Sequence, residues 1–196
     1  METVRNFVVE YMSNQPHQSV LSDKAVFAYE RQASKDVTLA KTFVLALLKA
    51  TDQIFGISVA AGDADHQLQK KDALLAALSE SHLLVLLDGP EGCRGLLALV
   101  SQVLAAFIEV LTIVTLRKRA AVNRMPTATD FALMVAVIDA VLTELTSALP
   151  AELDTWWARG FRYLLPVEDY QSLGAALPAQ QYLMLACSID ISDGAK

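Results

Sequence analysis

The sequence is poor in cysteine: Cys93 and Cys187 are its only two, far apart and outside any Cys-x-x-Cys pattern. That excludes a disulfide framework and a structural zinc site, and it fits a reducing cytosol. The three histidines, His17, His66 and His82, share no ligand spacing with one another or with a cysteine, so a catalytic metal is not expected. No Gly-x-Ser-x-Gly elbow occurs, so a hydrolytic triad has no local signature. Positive charge is also short. Sixteen Lys and Arg stand against 22 Asp and Glu, giving a net charge of −6 and a pI near 5.0. A chain so balanced does not coat nucleic acid. An N-terminal signal peptide is not expected either, because Glu2, Arg5 and Glu10 interrupt any apolar run before Tyr11.

What is abundant is apolar surface. Hydrophobic residues make up 54% of the 196 positions and charged residues 19%. This is too apolar for a disordered chain and high for a free monomer, so buried partner surface or a membrane must be considered. Length allows one domain with a sizeable core. Residues 1–36 mix polar and apolar positions around the breaker cluster Ser13-Asn-Gln-Pro16 and read as an N-terminal arm, with the compact domain over 37–196.

Periodicity then predicts the elements. Leu39, Phe43, Ala46, Leu47, Ala50 and Ile54 lie on one helix face that Gly56 is placed to end. After a loop at Gly62–His66, Leu74, Leu75 and Leu78 predict a short helix within Lys70–Ser79. The runs Leu83–Leu87 and Leu96–Val100 flank Asp88-Gly-Pro90 and predict a hairpin with its tip at Gly89–Arg94. Residues 96–116 carry one charge, Glu109, and are followed by Arg117, Lys118 and Arg119, so they pass as a membrane span. The preferred reading divides them into a strand to Val100 and a buried helix over Ser101–Val114. Thr127 and Asp130 form an acidic capping box for a helix from about Ala128 to Leu149, whose stripe is Met134, Val137, Ile138, Val141, Leu142 and Leu145. Trp156 and Trp157 are expected to cap the region beyond it. Strands are predicted at Phe161–Leu165 and Tyr182–Ile191. The fold class is α+β, with helices on one side of an antiparallel sheet.

Candidate sites weigh unevenly. The glycine-rich Asp88-Gly-Pro-Glu-Gly-Cys-Arg-Gly95 is followed by Leu96 where a phosphate loop has Lys and then Ser or Thr, so it serves as a hairpin tip. Asp63, Asp65 and His66 lack the remaining ligands of a calcium loop and read as a solvated turn. Arg117, Lys118 and Arg119 with Arg124 form the one concentrated positive patch, on a loop between helices, where recognition of acidic partners commonly resides. No catalytic residue, metal or cofactor is expected.

From about Val37 onward the order of elements resembles the middle domain of the flagellar motor switch family FliM, in the CheC-like fold group. The most specific match is Arg124-Met-Pro-Thr-Ala-Thr-Asp-Phe-Ala132 opening a helix with Asp139 and Leu142. Leu87-Asp-Gly-Pro90, Gly95-Leu-Leu-Ala-Leu99, Gly160-Phe-Arg-Tyr163 and Leu173-Gly174 with Tyr182 agree in position. The resemblance implies a cytoplasmic ring component that meets FliG, FliN, CheY-type proteins and neighbouring FliM-like subunits at the inner membrane's cytoplasmic face. Where typical members carry a Gly-Gly-x-Gly loop that touches FliG, this chain has Leu116-Arg-Lys-Arg-Ala120, and the CheY-binding peptide is only echoed by Leu21-Ser-Asp-Lys-Ala-Val26. The chain ends at Lys196, after a strand that relatives follow with another strand and a FliN-like domain. Its last strand is therefore expected to lack an edge partner that a neighbouring subunit could supply. A CheC-like CheY-phosphate phosphatase needs Glu and, three residues later, Asn on this helix. Asp139 and Leu142 do not supply that pair.

Overall fold

The computed structural model describes residues 5–12, 39–54, 56, 59–62, 64–113, 124–149, 159–177 and 181–191. Among them seven strands form one antiparallel sheet: β1 (Arg5–Met12), β2 (Val59–Ala61), β3 (Asp65–Lys70), β4 (Leu83–Asp88), β5 (Arg94–Leu99), β6 (Arg162–Pro166) and β7 (Gln181–Ile191). Their order is β2-β7-β1-β5-β4-β6, with β3 also on β7. Two expectations are corrected here. Residues 5–12 of the supposed arm are a strand inside the sheet, with Val8 opposite both Ala98 of β5 and Ala186 of β7; the rest of the arm, including the stretch 21–26, lies outside the described residues. Likewise β7 is not an unpaired edge, because β1 covers one side and β3 with β2 the other. Among the described residues the edges are β6 and the β2–β3 pair.

The strand β3 takes in Asp65 and His66 of the expected loop, Lys70 at the head of the expected helical stretch, and the three residues between them. Its string Asp-His-Gln-Leu-Gln-Lys is largely polar, as suits an edge strand with one side open to solvent. Gly62 breaks β2 from β3: its N–H donates to Ser188 O at 2.9 Å, and a Cβ there would sit 2.4 Å from Ser188 Oγ.

Among the described residues five helices pack on this sheet: α1 over 39–54, α2 (Lys71–Ala77), α3 (Ser101–Ile113), α4 (Ala128–Ala148) and α5 (Leu173–Ala176). The long ones share one face. Leu39, Phe43 and Leu47 of α1, Val103, Leu104 and Phe107 of α3 and the whole expected stripe of α4 are buried with Leu83, Val85, Leu87, Leu97 and Leu99. Ile54, expected on the α1 stripe, is instead exposed. The sheet's other face is also apolar, because β4 from Leu83 to Leu87 and β5 from Leu96 to Leu99 are apolar at every position: Leu84, Leu86, Leu96 and Ala98 form a second core with Leu74 of α2 and Leu173 and Leu177 at α5. Helices therefore lie on both faces rather than one. A strand apolar at every position needs cover on both sides, and the short helices provide it.

The membrane-span alternative over 96–116 is not how its described part, 96–113, folds. Leu96 to Leu99 belong to β5 and α3 begins only at Ser101, so no single helix runs through the stretch as a spanning helix would need. Among the described helices α4 alone is long and apolar enough to cross a membrane. Its apolar stripe is buried against the sheet.

The hairpin tip at Pro90–Gly92 forms a single 3-10 turn, with Gly92 at φ 79°. Beside it, a Cβ on Gly89 would lie 2.4 Å from Cε1 and 2.6 Å from Cζ of Phe161. Because Phe161 is itself part of the main core, Gly89→Ala is expected to displace the ring and cost about 1–3 kcal/mol. Chemical denaturation of the two forms measures it; an unchanged midpoint would show that the ring has somewhere to go.

Candidate functional site

The residues flagged at the head of α4 fold into a tight local network. Thr127 is the N-cap and Asp130 the third helical residue, as the capping-box spacing predicts. Asp130 Oδ2 accepts from Thr127 N at 2.7 Å and from Thr127 Oγ1 at 2.9 Å. Arg124 closes the network as a fork, Nη1 to Oδ2 at 2.5 Å and Nη2 to Oδ1 at 2.9 Å. Asp130 is only 3% exposed, so its charge is buried but paired and fully hydrogen-bonded. The Arg124 hydrogen bond, aided by those from Thr127, lowers its pKa from the ordinary 3.8 to about 2 despite the burial that opposes this.

Arg124 is thus occupied with the fold of α4, although half of its side chain (48%) remains exposed. Arg117, Lys118 and Arg119, with which it was grouped as a basic patch, lie outside the described residues, as do Trp156 and Trp157. Asp139 and Leu142, the positions a phosphatase would use, are both engaged structurally. Asp139 Oδ1 accepts the Tyr163 N–H at 3.3 Å, and Leu142 is buried in the core.

At the hairpin tip Asp88 holds two arginines, Arg162 at 3.1 Å and Arg94 across the turn. These ion pairs, Arg162 first, keep the Asp88 carboxyl below its usual range. The glycine-rich stretch is thereby spent on a turn that pins β6 to β4. Lys49 of α1 reaches Glu144 of α4 at 2.5 Å and ties the two long helices together.

Next to the α4 cap the surface opens into a cleft of about 280 Å³. Met125, Pro126, Ala128 and Phe131 line it together with the acidic residues Glu80, Glu168 and Asp169. Met125 is 61% exposed. His82 also lines the cleft; burial lowers its pKa, which favours the neutral ring. The arrangement offers an exposed thioether beside acidic groups, a surface for contact. Sequence reasoning missed it, since Glu80, Met125 and Glu168 come from three separate segments and share no motif.

No protein-family model matches the sequence, and a search of curated proteins finds no match. Structure is more telling. A chain in the crystal structure of the FliG–FliM complex from H. pylori superposes with a TM-score of 0.60 at 11% identity, covering 86% of this chain and 93% of that one. The crystal structure of the FliM middle domain from H. pylori gives 0.58 at 10% identity, with 85% and 92% covered. The present chain has the FliM middle-domain fold. The crystal structure of the FliM–SpeE complex from the same organism agrees, at a TM-score of 0.59 and 11% identity, covering 86% and 89%. The FliM likeness is one of fold. At 10–11% identity it extends to the order of the elements and not to the residues. The two complexes show FliM joined to FliG in one and to SpeE in the other.

Proposed function

We propose that the chain is a non-enzymatic component of the bacterial flagellar motor switch, the C-ring, located at the cytoplasmic face of the inner membrane in the basal body. The observation that carries this reading is the FliM middle-domain fold over 86% of the chain, found in a chain of a FliG–FliM complex. In this role it binds the rotor protein FliG, sits among FliM-like subunits with FliN, and transmits the state of phosphorylated CheY-type proteins to the direction of rotation. The structural use of Asp139 and Leu142 argues for an architectural role over a phosphatase.

Arg117, Lys118 and Arg119 are the proposed FliG contact, in place of a glycine loop. Arg124 is kept out of the test because it holds the α4 cap. Purified FliG is expected to capture the native chain, and the triple change of Arg117, Lys118 and Arg119 to Glu should weaken capture at least tenfold, the loss expected from reversing charges at a steered interface. Capture of neither form would overturn the switch reading. Equal capture of both would move the contact elsewhere, with the cleft beside Met125 the next surface to alter.

A further inference from the structure

The second core is roofed by two short helices from distant parts of the chain, α2 and α5. At seven and four residues neither is long enough to stand alone in water, and neither has a side-chain cap at its N-terminus. What holds them is reciprocal. The last carbonyls of a helix have no partner within it, and here each segment supplies donors to the other. Lys71, the first residue of α2, donates from Nζ to Gly174 O at 3.0 Å and to Leu177 O at 3.1 Å, at the end of α5. Tyr170, in the 3-10 turn Tyr170–Ser172 that leads into α5, donates its O–H to Leu75 O, with Leu78 O 3.4 Å away, at the end of α2.

The placing of Lys71 is informative. A lysine at the head of its own helix stands at the unfavourable end of the dipole, whereas at the C-terminus of a neighbour the same charge is favourable. Packing joins what these bonds join. Leu74, Leu173 and Leu177 are fully buried in one cluster, Leu75, Leu78 and Tyr170 pack against it, and a Cβ on Gly174 would come within 3.6 Å of Leu75 Cδ1. When α2 melts, α5 loses its lysine and Tyr170 its acceptor; when α5 melts, α2 loses the tyrosine and Lys71 its acceptors. The rest of the domain is held elsewhere, because Leu83, Val85, Leu87, Leu97 and Leu99 belong to the main core with the long helices.

We infer that α2 and residues 170–177 form one two-part lid that melts and re-forms in a single step over the second face, while the sheet and the long helices stay folded. Closed, the lid shields Leu84, Leu86, Leu96 and Ala98; open, it bares them. Units of this size that open below the global stability are common in small domains. The lid is independent of the switch reading and of the proposed FliG contact.

Native-state hydrogen exchange on the full chain tests it. The amides of Leu78 and Leu177, which donate to Leu75 O and Leu173 O, report one helix each. They should share one opening free energy and one denaturant dependence, lower and shallower than those of the α4 amides between Val137 and Leu145. Ala76→Gly, at an exposed position of α2, weakens that helix by propensity and should speed exchange about fivefold at Leu78 and by the same factor at Leu177. Ala175→Gly, exposed on α5, should likewise speed both amides equally. Tyr170→Phe deletes the donor and keeps the ring, and should speed both about fivefold. Acceleration at Leu78 alone in Ala76→Gly would show that the helices open separately and would overturn the lid. Exchange of both amides only in step with α4 would overturn it as well, since the helices would then open with the whole domain. No effect of Tyr170→Phe at either amide would overturn the reciprocal bonds as what couples them.

Discussion

Deletion of residues 1–12 is expected to abolish cooperative folding. The strand they contain runs between β5 and β7, with Phe7, Val8 and Val9 opposite Leu99, Ala98 and Leu97 on one side and Cys187, Ala186 and Leu185 on the other. Without it the sheet falls into two parts, β2-β3-β7 and β5-β4-β6, each with a new open edge in what was the middle of a core. The residues that flank the gap, Leu97, Leu99, Leu185 and Cys187, are all buried. Their burial depends on the sheet being continuous, and exposing backbone donors and acceptors there adds the cost of unsatisfied groups. A typical domain holds only about 5–15 kcal/mol of stability in total, less than such a loss. The shortened chain should show no cooperative thermal transition by circular dichroism and should bind a dye for exposed apolar surface. If residues 1–12 were a free arm, the melting curve would be unchanged. Val8→Pro offers a gentler version, because proline removes a ladder donor from a strand paired on both sides.

The contrast between β1 and α4 shows which features of this fold are legible in the sequence. In α4 the signals are local: a cap, an acid three residues on, and an apolar stripe at helical spacing, all within 21 residues. The β4–β5 hairpin was equally readable, since its turn residues and two apolar runs are adjacent. For β1 the apolar part is short, Glu10 interrupts it, and its partner β7 lies at the far end of the chain, where no periodicity can reveal the pairing. In β3 the composition itself argues against a strand, and the place on β7 overrides it. The second core was also hidden. A run such as Leu83–Leu87 reads as a buried strand, but nothing within it says which elements cover each face. The same limit applies to function: the Arg124 motif was visible, whereas the cleft beside Met125 is assembled from distant segments.

Asp130→Ala is the substitution expected to damage α4 most from outside its apolar stripe. It removes the reciprocal cap, leaves Thr127 N–H without its acceptor, and frees Arg124 from its fork. The expected loss is about 2–3 kcal/mol, from a helix cap at about 1 kcal/mol and a buried, charge-assisted pair. Acid titration checks the same network with a definite sign. The folded carboxyl has its pKa lowered from 3.8 to about 2, so the folded state favours the ionised form. That contribution is fully present above about pH 4 and disappears as the pH falls toward 2. It amounts to about 2 kcal/mol before screening at the half-exposed Arg124 reduces it. Wild-type stability should therefore fall between pH 4 and 2 by more than that of Asp130→Ala, and the gap between the two curves should close at the acid end. Arg124→Gln should lose about 1 kcal/mol, since its side chain is half in water. The Arg117, Lys118 and Arg119 charge reversal should leave this acid profile as in wild type. If it does, the basic patch consists of one arginine that builds the domain and three residues left free for a partner; if the triple change also flattens the acid limb, those residues act through the α4 cap and a loss of FliG capture would report folding rather than contact.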